Sequence, residues 1–212
     1  MKRLSKVKIE WSPEFAYAIG LLTTDGNLSP DQRHINMTSK DEELIIKFKQ
    51  CLNLDNKIGR KSRGGSNIKK YFVIQFGDRN FYDFLLSVGL RPAKSKTLKS
   101  LKIPKIYFSD FLRGCIDGDG SLGTFKHPES RHPQLRVRLY SASALFLKWI
   151  KKEISSIAEI DVKNGWITEE NNIFTLAYAK DNSIKLLNYI YYPDVNYYLE
   201  RKYKIAKPFL RV

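Results

Sequence analysis

Ala18-Ile-Gly-Leu-Leu-Thr-Thr-Asp-Gly26 and Leu112-Arg-Gly-Cys-Ile-Asp-Gly-Asp-Gly120 are two nine-residue segments of the same design. Each is mostly apolar, with glycine at the third place, aspartate at the eighth and glycine at the ninth. Because the segment recurs once, after about 100 residues, it indicates a duplicated domain and not a solenoid of many short repeats. The 212 residues are enough for two such units, each with its own core.

The pattern of apolar residues after each motif is also repeated. After the aspartate it predicts a glycine-containing turn, a strand, an amphipathic helix, two short strands and a second amphipathic helix. The predicted strands and helices cover residues 34–38, 41–52, 57–63, 69–76 and 80–88 in the first copy, and residues 134–140, 144–157, 161–167, 173–178 and 182–191 in the second. The sequence therefore predicts an α+β fold of two pseudo-symmetric αββαββα units, residues 1–90 and 108–212. Residues 91–107, which are polar and contain two prolines, form the predicted linker.

Small residues on one face of each motif indicate that the two motif helices pack closely together. Ala16, Gly20 and Thr24 are spaced by four residues, as are Gly114 and Gly118. A ridge of such residues lets two helix backbones approach each other. A close pair of this kind brings its two C-terminal ends together.

Each motif helix ends in an aspartate, Asp25 or Asp119, followed by a glycine suited to the left-handed cap position. This placement is electrostatically unfavourable, because a helix C-terminus already has partial negative charge. Two neighbouring carboxylates raise one another's pKa or require a cation. The alternative is that each aspartate only bonds the backbone of its own turn. The matched pair in a duplicated frame favours a shared divalent metal ion.

Composition limits the class of partner. The chain has 37 basic and 22 acidic side chains, a net charge of +15 and a pI near 9.7, which favours a polyanion such as nucleic acid. A membrane partner is not predicted, because there is no long apolar run and no basic amphipathic helix. Two isolated cysteines predict reduced thiols, no zinc site and an intracellular protein, whether cytoplasmic or organellar.

Alternation along the strands predicts one face packed on helices and one polar face. A two-stranded ribbon fits the major groove of DNA, where arginine can read guanine and asparagine or glutamine can read adenine. The strands are nearly free of acids, whereas a merely solvated face would include them. The predicted DNA-binding side chains of the strands are His34, Asn36, Thr38, Lys61, Arg63, Lys69, Tyr71 and Gln75 in the first half, and Gln134, Arg136, Arg138 and Tyr140 in the second.

Both motifs resemble the nine-residue signature of the LAGLIDADG homing endonucleases, and their order resembles that of single-chain members with two motifs. The resemblance extends from about Trp11 to Lys204 and is close in the second motif; the first has Thr23 where the family often has an acid. It implies a saddle of two antiparallel sheets that binds a long asymmetric DNA duplex. It also implies that the protein hydrolyses both strands with two or three Mg²⁺ ions shared between Asp25 and Asp119, with Mn²⁺ or Ca²⁺ able to substitute for binding. The duplication itself predicts a monomer, because a chain with both halves has no need of a partner subunit.

The resemblance implies further site residues. A basic residue after the last helix of each half faces the scissile phosphate, and a polar residue that closes the second strand orients water. The matching positions are Lys96 and Lys202 for the basic residue, with neighbouring Lys94 and Lys204 as substitutes, and Ser39 and Ser141 for the polar residue. Both serines are also predicted to contact DNA.

Two other functions stay open on the sequence. Some proteins of this family are maturases that bind intron RNA, so intron RNA is a second candidate partner. Others keep the fold as DNA-binding regulators without catalysis and have lost the motif acids. Both acids are present here, which favours an active nuclease.

Overall fold

The computed structural model describes residues 5–62, 68–126, 134–157, 162 and 164–211. The chain divides into two compact units, Met1–Lys94 with Leu101–Gly118, and Ser95–Ser100 with Asp119–Val212. The second motif helix therefore lies almost wholly in the first unit. Compactness and duplication are different properties, so the repeat boundaries at residues 1–90 and 108–212 stay a prediction from the sequence.

The order of elements is αββαββα twice, followed by one more helix, and it confirms the α+β prediction. The first repeat comprises α1 (Pro13–Asp25), β1 (Gly26–Leu28), β2 (His34–Ser39), α2 (Glu42–Cys51), β3 (Gly59–Lys61), β4 (Tyr71–Gly77) and α3 (Arg79–Val88). The second comprises α4 (Phe108–Asp119), β5 (Gly120–Phe125), β6 (Gln134–Ser141), α5 (Ala144–Ser155), β7 (Trp166–Glu170), β8 (Ile173–Tyr178) and α6 (Lys180–Ile190), and α7 (Glu200–Ala206) follows. Short 3₁₀ turns occur at Lys94–Lys96, Lys105–Tyr107 and Lys207–Phe209.

Each repeat forms a four-stranded antiparallel sheet with the same strand order, β1-β2-β4-β3 and β5-β6-β8-β7. In each sheet one central strand, β2 or β6, alternates between buried and partly exposed residues, as the sequence predicts. Buried residues of β2 and β6 face the helices, and the remaining residues form a polar face.

Helix α1 is buried along almost its whole length, which explains why its sequence is apolar all round. Ser12 caps its N-terminus, where the hydroxyl oxygen accepts a hydrogen bond from Phe15 N at 3.1 Å, and Pro13 occupies the first helical position. Thr23 is buried near the other end, and its hydroxyl donates to Ile19 O at 2.8 Å. Burial of this threonine therefore leaves its donor satisfied.

The predicted left-handed glycine caps after the motif aspartates are wrong. Gly26 has φ −87° and ψ 154°, and it begins strand β1. Gly120 likewise begins β5, and the described glycine with positive φ is Gly89, at the end of α3. Position 26 has no room for a side chain, because a Cβ there would lie 2.7 Å from Leu22 Cα. The chain therefore passes directly from each motif helix into a strand where the sequence predicted only a turn.

The strand predicted at residues 161–167 is displaced along the chain. The described strand is Trp166–Glu170, while Asp161 and Lys163 lie outside the described residues. This displacement brings Glu169 and Glu170 into β7, so the second sheet is not free of acids. Its outer strand pairs on one side only, and charged side chains are common on such edges.

Candidate nucleic-acid interface and acidic helix ends

Helices α1 and α4 pack with their backbones in contact, as the small residues predict. A Cβ built at Gly20 would overlap the carbonyl oxygen of Phe111 and lie 3.0 Å from Gly114 Cα. A Cβ built at Gly114 would overlap the carbonyl oxygen of Tyr17 and lie 3.1 Å from Gly20 Cα. Neither position can hold a side chain unless the two helices move apart.

A buried polar cluster, which sequence reasoning missed, joins the same two helices. The Tyr17 hydroxyl donates to Asp117 Oδ2 at 2.8 Å, and Arg113 Nη2 donates to Asp110 Oδ1 at 2.6 Å. The Arg113 guanidinium carbon lies 5.4 Å from the centre of the Tyr17 ring. Burial, and then the charge of Asp117, raise the pKa of Tyr17 well above its usual value. The spacing of Asp110, Arg113 and Asp117 on one helical face is the signal in the sequence for this cluster.

Asp25 lies at the C-terminal end of α1, partly exposed, beside the last turn of α4. A Cβ built at Gly118 would lie 3.2 Å from Asp25 Oδ2 and 2.9 Å from Thr24 Cβ. The Asp25 carboxylate is therefore next to the residue that precedes Asp119 in the chain. Asp119 is exposed and is the first residue of the second compact unit. The last turn of each helix contains no basic residue.

The donor set available at these helix ends suits magnesium better than zinc. In the described ranges, no group of three or more His, Cys, Asp or Glu side chains could hold a metal ion. Zinc sites are built from three or four such ligands. Magnesium keeps several water molecules and is bound by one or two carboxylates together with substrate phosphates. One carboxylate from each motif is therefore a sufficient protein contribution for Mg²⁺, and the shared site itself stays a prediction.

A buried lysine lies beside the residue that follows each motif aspartate. Lys94, in the first unit, is 6% exposed and its Nζ donates to the carbonyl oxygen of Gly26. Lys202, in the second unit, is 2% exposed and its Nζ donates to the carbonyl oxygen of Gly120 at 2.8 Å. The two repeats therefore position a basic side chain in the same way.

This arrangement distinguishes two of the predicted lysines. Lys96 is exposed, and Lys94, its predicted substitute, is the residue that makes the same contact as Lys202. Which of Lys94 and Lys96 faces the scissile phosphate stays a prediction. Lys204 has a side chain that is 72% exposed, with Glu200 3.9 Å away, which supports the choice of Lys202. Lys202 belongs to the unpredicted helix α7 and does not simply follow the last helix.

The polar face of the first sheet includes most of the side chains predicted for it. The residues of this face, by strand register, are Asn27, His34, Asn36, Thr38, Gly59, Lys61, Tyr71, Val73 and Gln75. Asn27 is exposed opposite Asn36 and was missed, because β1 was predicted as a turn. Lys69 is exposed just before β4, and Arg63 lies outside the described residues.

An acid fixes one end of this first face. Asp31 Oδ1 accepts from His34 N at 2.9 Å, and Asp31 Oδ2 lies 2.5 Å from His34 Nδ1. These hydrogen bonds, the backbone one first, hold the pKa of the Asp31 carboxyl well below its usual range. His34 is thus held in one orientation by a residue three positions earlier.

Ser39 and Ser141 have structural roles at the ends of their strands. Ser39 is buried on the face that packs against helices, and its hydroxyl accepts from Asp41 N at 3.1 Å. Ser141 does the same for Ser143 N at 3.0 Å. By alternation both serines lie opposite the polar face, so the prediction that they contact DNA is not supported by their placement.

The polar face of the second sheet presents Gln134, Arg136, Arg138 and Tyr140, as predicted. The Tyr140 hydroxyl lies 3.1 Å from that of Ser121, which is directly opposite Arg138 on β5. Three other residues of this face, by register, are the aromatic rings of Phe125 and Trp166 and the carboxylate of Glu170. Neither ring was predicted, since neither lies in the strand that the alternation identified most clearly.

The structure bears on two of the predictions from composition. No helix in the described part of the chain is long and apolar enough to span a membrane. Cys51 and Cys115 lie within helices and form no disulfide, and burial raises the pKa of Cys51 well above its usual value.

Several solved structures have a similar fold. DUF199/WhiA from Thermatoga maritima has a TM-score of 0.54 and 17% identity, over 100% of this chain and 68% of that chain. Mesophilic variants of the homing endonuclease I-DmoI give 0.59 and 14%, over 92% and 97%. The LAGLIDADG homing endonuclease I-GzeII, in complex with its DNA target, gives 0.54 and 13%, over 94% and 89%. No protein-family model and no curated protein sequence matches the chain.

The chain therefore has the fold of the LAGLIDADG homing endonucleases, as the motifs indicate. Identities of 13–17% establish the fold alone. A shared fold does not assign an activity, so the function has to be argued from the residues of the site.

Proposed function

We propose that this protein is a site-specific endonuclease that binds double-stranded DNA through the polar faces of its two sheets. In this proposal it hydrolyses both strands with divalent metal ions held by Asp25 and Asp119. The two faces bear unlike side chains, so the target is asymmetric. The proteins of similar fold include I-DmoI, which was solved in complex with DNA and Mn and with DNA and Ca.

One observation supports the proposal most: in both repeats a buried lysine contacts the glycine that follows a motif aspartate. Lys94 donates to Gly26 O and Lys202 donates to Gly120 O, so each ammonium group lies beside the residue that follows an acid. Burying an ammonium group costs free energy unless the group is paired, so buried lysines are uncommon and usually have a specific role. Two independent instances indicate that a positive charge is needed next to each aspartate.

The roles of the residues follow from their chemistry. Asp25 and Asp119 supply carboxylate oxygens, which Mg²⁺ prefers as ligands. Bound Mg²⁺ would supply the Lewis acidity that activates water and stabilises the leaving oxygen. Lys94 and Lys202 would neutralise the charge that develops on the phosphate during hydrolysis.

The test is cleavage by variants that neutralise one acid. Duplexes that the wild-type protein binds are selected from a randomised library in Ca²⁺ and then incubated with Mg²⁺. Wild-type protein is expected to cut both strands, whereas Asp25→Asn or Asp119→Asn should abolish double-strand cleavage. Binding should persist or tighten, because each substitution removes a negative charge from a surface that meets phosphates.

Asp55→Asn is the matched control, since Asp55 is an exposed acid outside the motifs. It should cut as the wild-type protein does. Full cleavage by either motif variant would exclude the assignment of the acids. Binding to structured RNA with no binding to duplex DNA would favour the maturase instead.

A further inference from the structure

An arginine on the polar face of the second sheet is held between two aromatic rings. The guanidinium carbon of Arg136 lies 4.6 Å from the centre of the Phe125 ring and 5.5 Å from that of the Trp166 ring. Both distances are within the range of cation–π attraction. Phe125 and Trp166 are each 37% exposed, so the rings and the arginine lie on a face that solvent reaches.

Small residues on the neighbouring strands make room for this arrangement, which we call the arginine clamp (Phe125, Arg136 and Trp166). Gly123 is directly opposite Arg136 on β5, and a Cβ there would meet nothing within 4 Å. Ala177 separates Trp166 from β6, and its short side chain leaves the ring free to reach across. The clamp therefore has open space at Gly123 on β5 and only the short side chain of Ala177 on β8.

The clamp fixes the arginine and leaves it without an acidic partner. Within the described residues Arg136 has no ion pair, and Nε is its one nitrogen that is buried without a hydrogen-bond partner. Its strand, β6, is an inner strand of the sheet, between β5 and β8. A guanidinium in this place can offer its outer N–H groups to whatever covers the middle of the face.

The position of this fixed, planar guanidinium on an inner strand favours a base over a phosphate. Arginine binds the O6 and N7 atoms of guanine with two parallel hydrogen bonds in the major groove. That geometry benefits from a side chain already held in one orientation, because less rotamer entropy is lost on binding. A phosphate can accept the same pair of hydrogen bonds. Arg136, however, lies on an inner strand of the polar face, which would enter the major groove where the base edges are.

We propose that Phe125 and Trp166 hold Arg136 as a preformed reader of one guanine in the major groove, so that the arginine clamp sets sequence specificity at one base pair of the target. The proposal rests on the DNA-binding part of the function proposed above. It does not depend on cleavage. Phe125 and Trp166 are positioning residues that act through Arg136.

The experiment measures the Kd of the intact protein in Ca²⁺ for a selected duplex and for each of its single-base-pair variants. Wild-type protein should prefer guanine by about 10- to 100-fold at one position that depends on Arg136. Arg136→Lys keeps the charge but should abolish that preference. Phe125→Leu and Trp166→Leu should each lower the preference for guanine roughly threefold or more. Trp166→Phe keeps an aromatic ring and should retain most of the preference.

The matched control is Ile173→Ala, which shortens another exposed apolar side chain on the same face of the second sheet. Ile173→Ala should leave the preference for guanine unchanged. All of the variants should leave the preferences at the other base pairs unchanged. Retention of every preference by Arg136→Lys, or an equal loss of affinity for all duplexes, would overturn the clamp as a base reader. If the wild-type protein binds no duplex at all, both the proposed function and the clamp proposal fail. If it binds duplexes without a preference that depends on Arg136, only the clamp proposal fails.

Discussion

Lys94 and Lys202 occupy equivalent places although their local structures differ. Lys94 lies in a single 3₁₀ turn, whereas Lys202 lies in helix α7. Each nevertheless directs its ammonium group to the carbonyl oxygen of the glycine after a motif aspartate. Because two different local structures make the same contact, the contact itself is expected to have a function.

Sequence patterns do not distinguish Lys94 from Lys96. The two lysines are separated by one serine in a polar, proline-containing stretch, so composition and spacing treat them alike. Only the tertiary structure buries one and exposes the other. The aspartates were easier to identify, because the duplication marks both of them independently.

We predict that Lys94→Met slows double-strand cleavage about 100-fold or more, because it removes a positive charge that stabilises the transition state. The stability of the fold should change little, since an apolar side chain of similar volume avoids the cost of a buried charge. Single-turnover cleavage of a selected duplex, with a thermal melt of the variant, measures both effects.

Lys96→Met is the control for this prediction, because it removes an exposed charge two residues away. It should cleave within about threefold of the wild-type rate, as expected for an exposed charge screened by salt. Equal slowing by both variants would assign the effect to general loss of DNA affinity and would contradict the specific role of Lys94.

Helices α1 and α4 are paired through glycines and through buried polar side chains. The glycines allow backbone contact, and the cluster of Tyr17, Asp117 and Arg113 joins the helices from within. The strand after each helix starts directly at the glycine that follows the aspartate.

Gly20→Ala is expected to destabilise the protein by about 3 kcal/mol, because the methyl group would overlap the Phe111 carbonyl oxygen and must separate the two helices. Gly123→Ala is the matched control, since nothing lies within 4 Å of a Cβ there. That substitution should stabilise the strand by about 0.5 kcal/mol. Chemical denaturation measures both changes, and equal effects of the two substitutions would refute the close contact of α1 and α4.

Sequence patterns predicted the long elements well and the short ones poorly. The central strands β2 and β6 alternate over six and eight residues, which is enough to define a period of two. Strand β1 has only three residues and begins with glycine, a combination typical of a turn. Strand β7 lies on the sheet edge and contains two glutamates, so hydrophobic alternation does not reveal it. Strand β5 has six residues but was also missed, because its two glycines, Gly120 and Gly123, are typical of a turn. The clamp rings lie in β5 and β7 and were missed with these strands.

At the scale of the whole molecule, charge is distributed unequally between the halves. Residues 1–106 have 21 basic and 10 acidic side chains, and residues 107–212 have 16 and 12. The polar face of the first sheet has neutral hydrogen-bonding groups and one described lysine, whereas that of the second has two arginines and a glutamate. Much of the excess charge of the first half therefore lies away from the bases that its sheet would read, where it suits phosphate contacts.

A net charge of +15 predicts that affinity for DNA depends steeply on salt. Neutralised phosphates release counterions, so a protein with six or more phosphate contacts loses roughly 1,000-fold in affinity between about 50 and 200 mM salt. We expect a loss of this size for any duplex, selected or not.

Lys61→Gln should reduce the slope of log affinity against log salt concentration by about 1, because Lys61 is exposed on the polar face. Lys8→Gln should leave the slope unchanged, since Lys8 already pairs with Glu10 beside the far end of α1. A flat salt dependence would remove the electrostatic basis for DNA binding, whereas a steep dependence that Lys61→Gln leaves unaltered would place the phosphates elsewhere than on the first sheet.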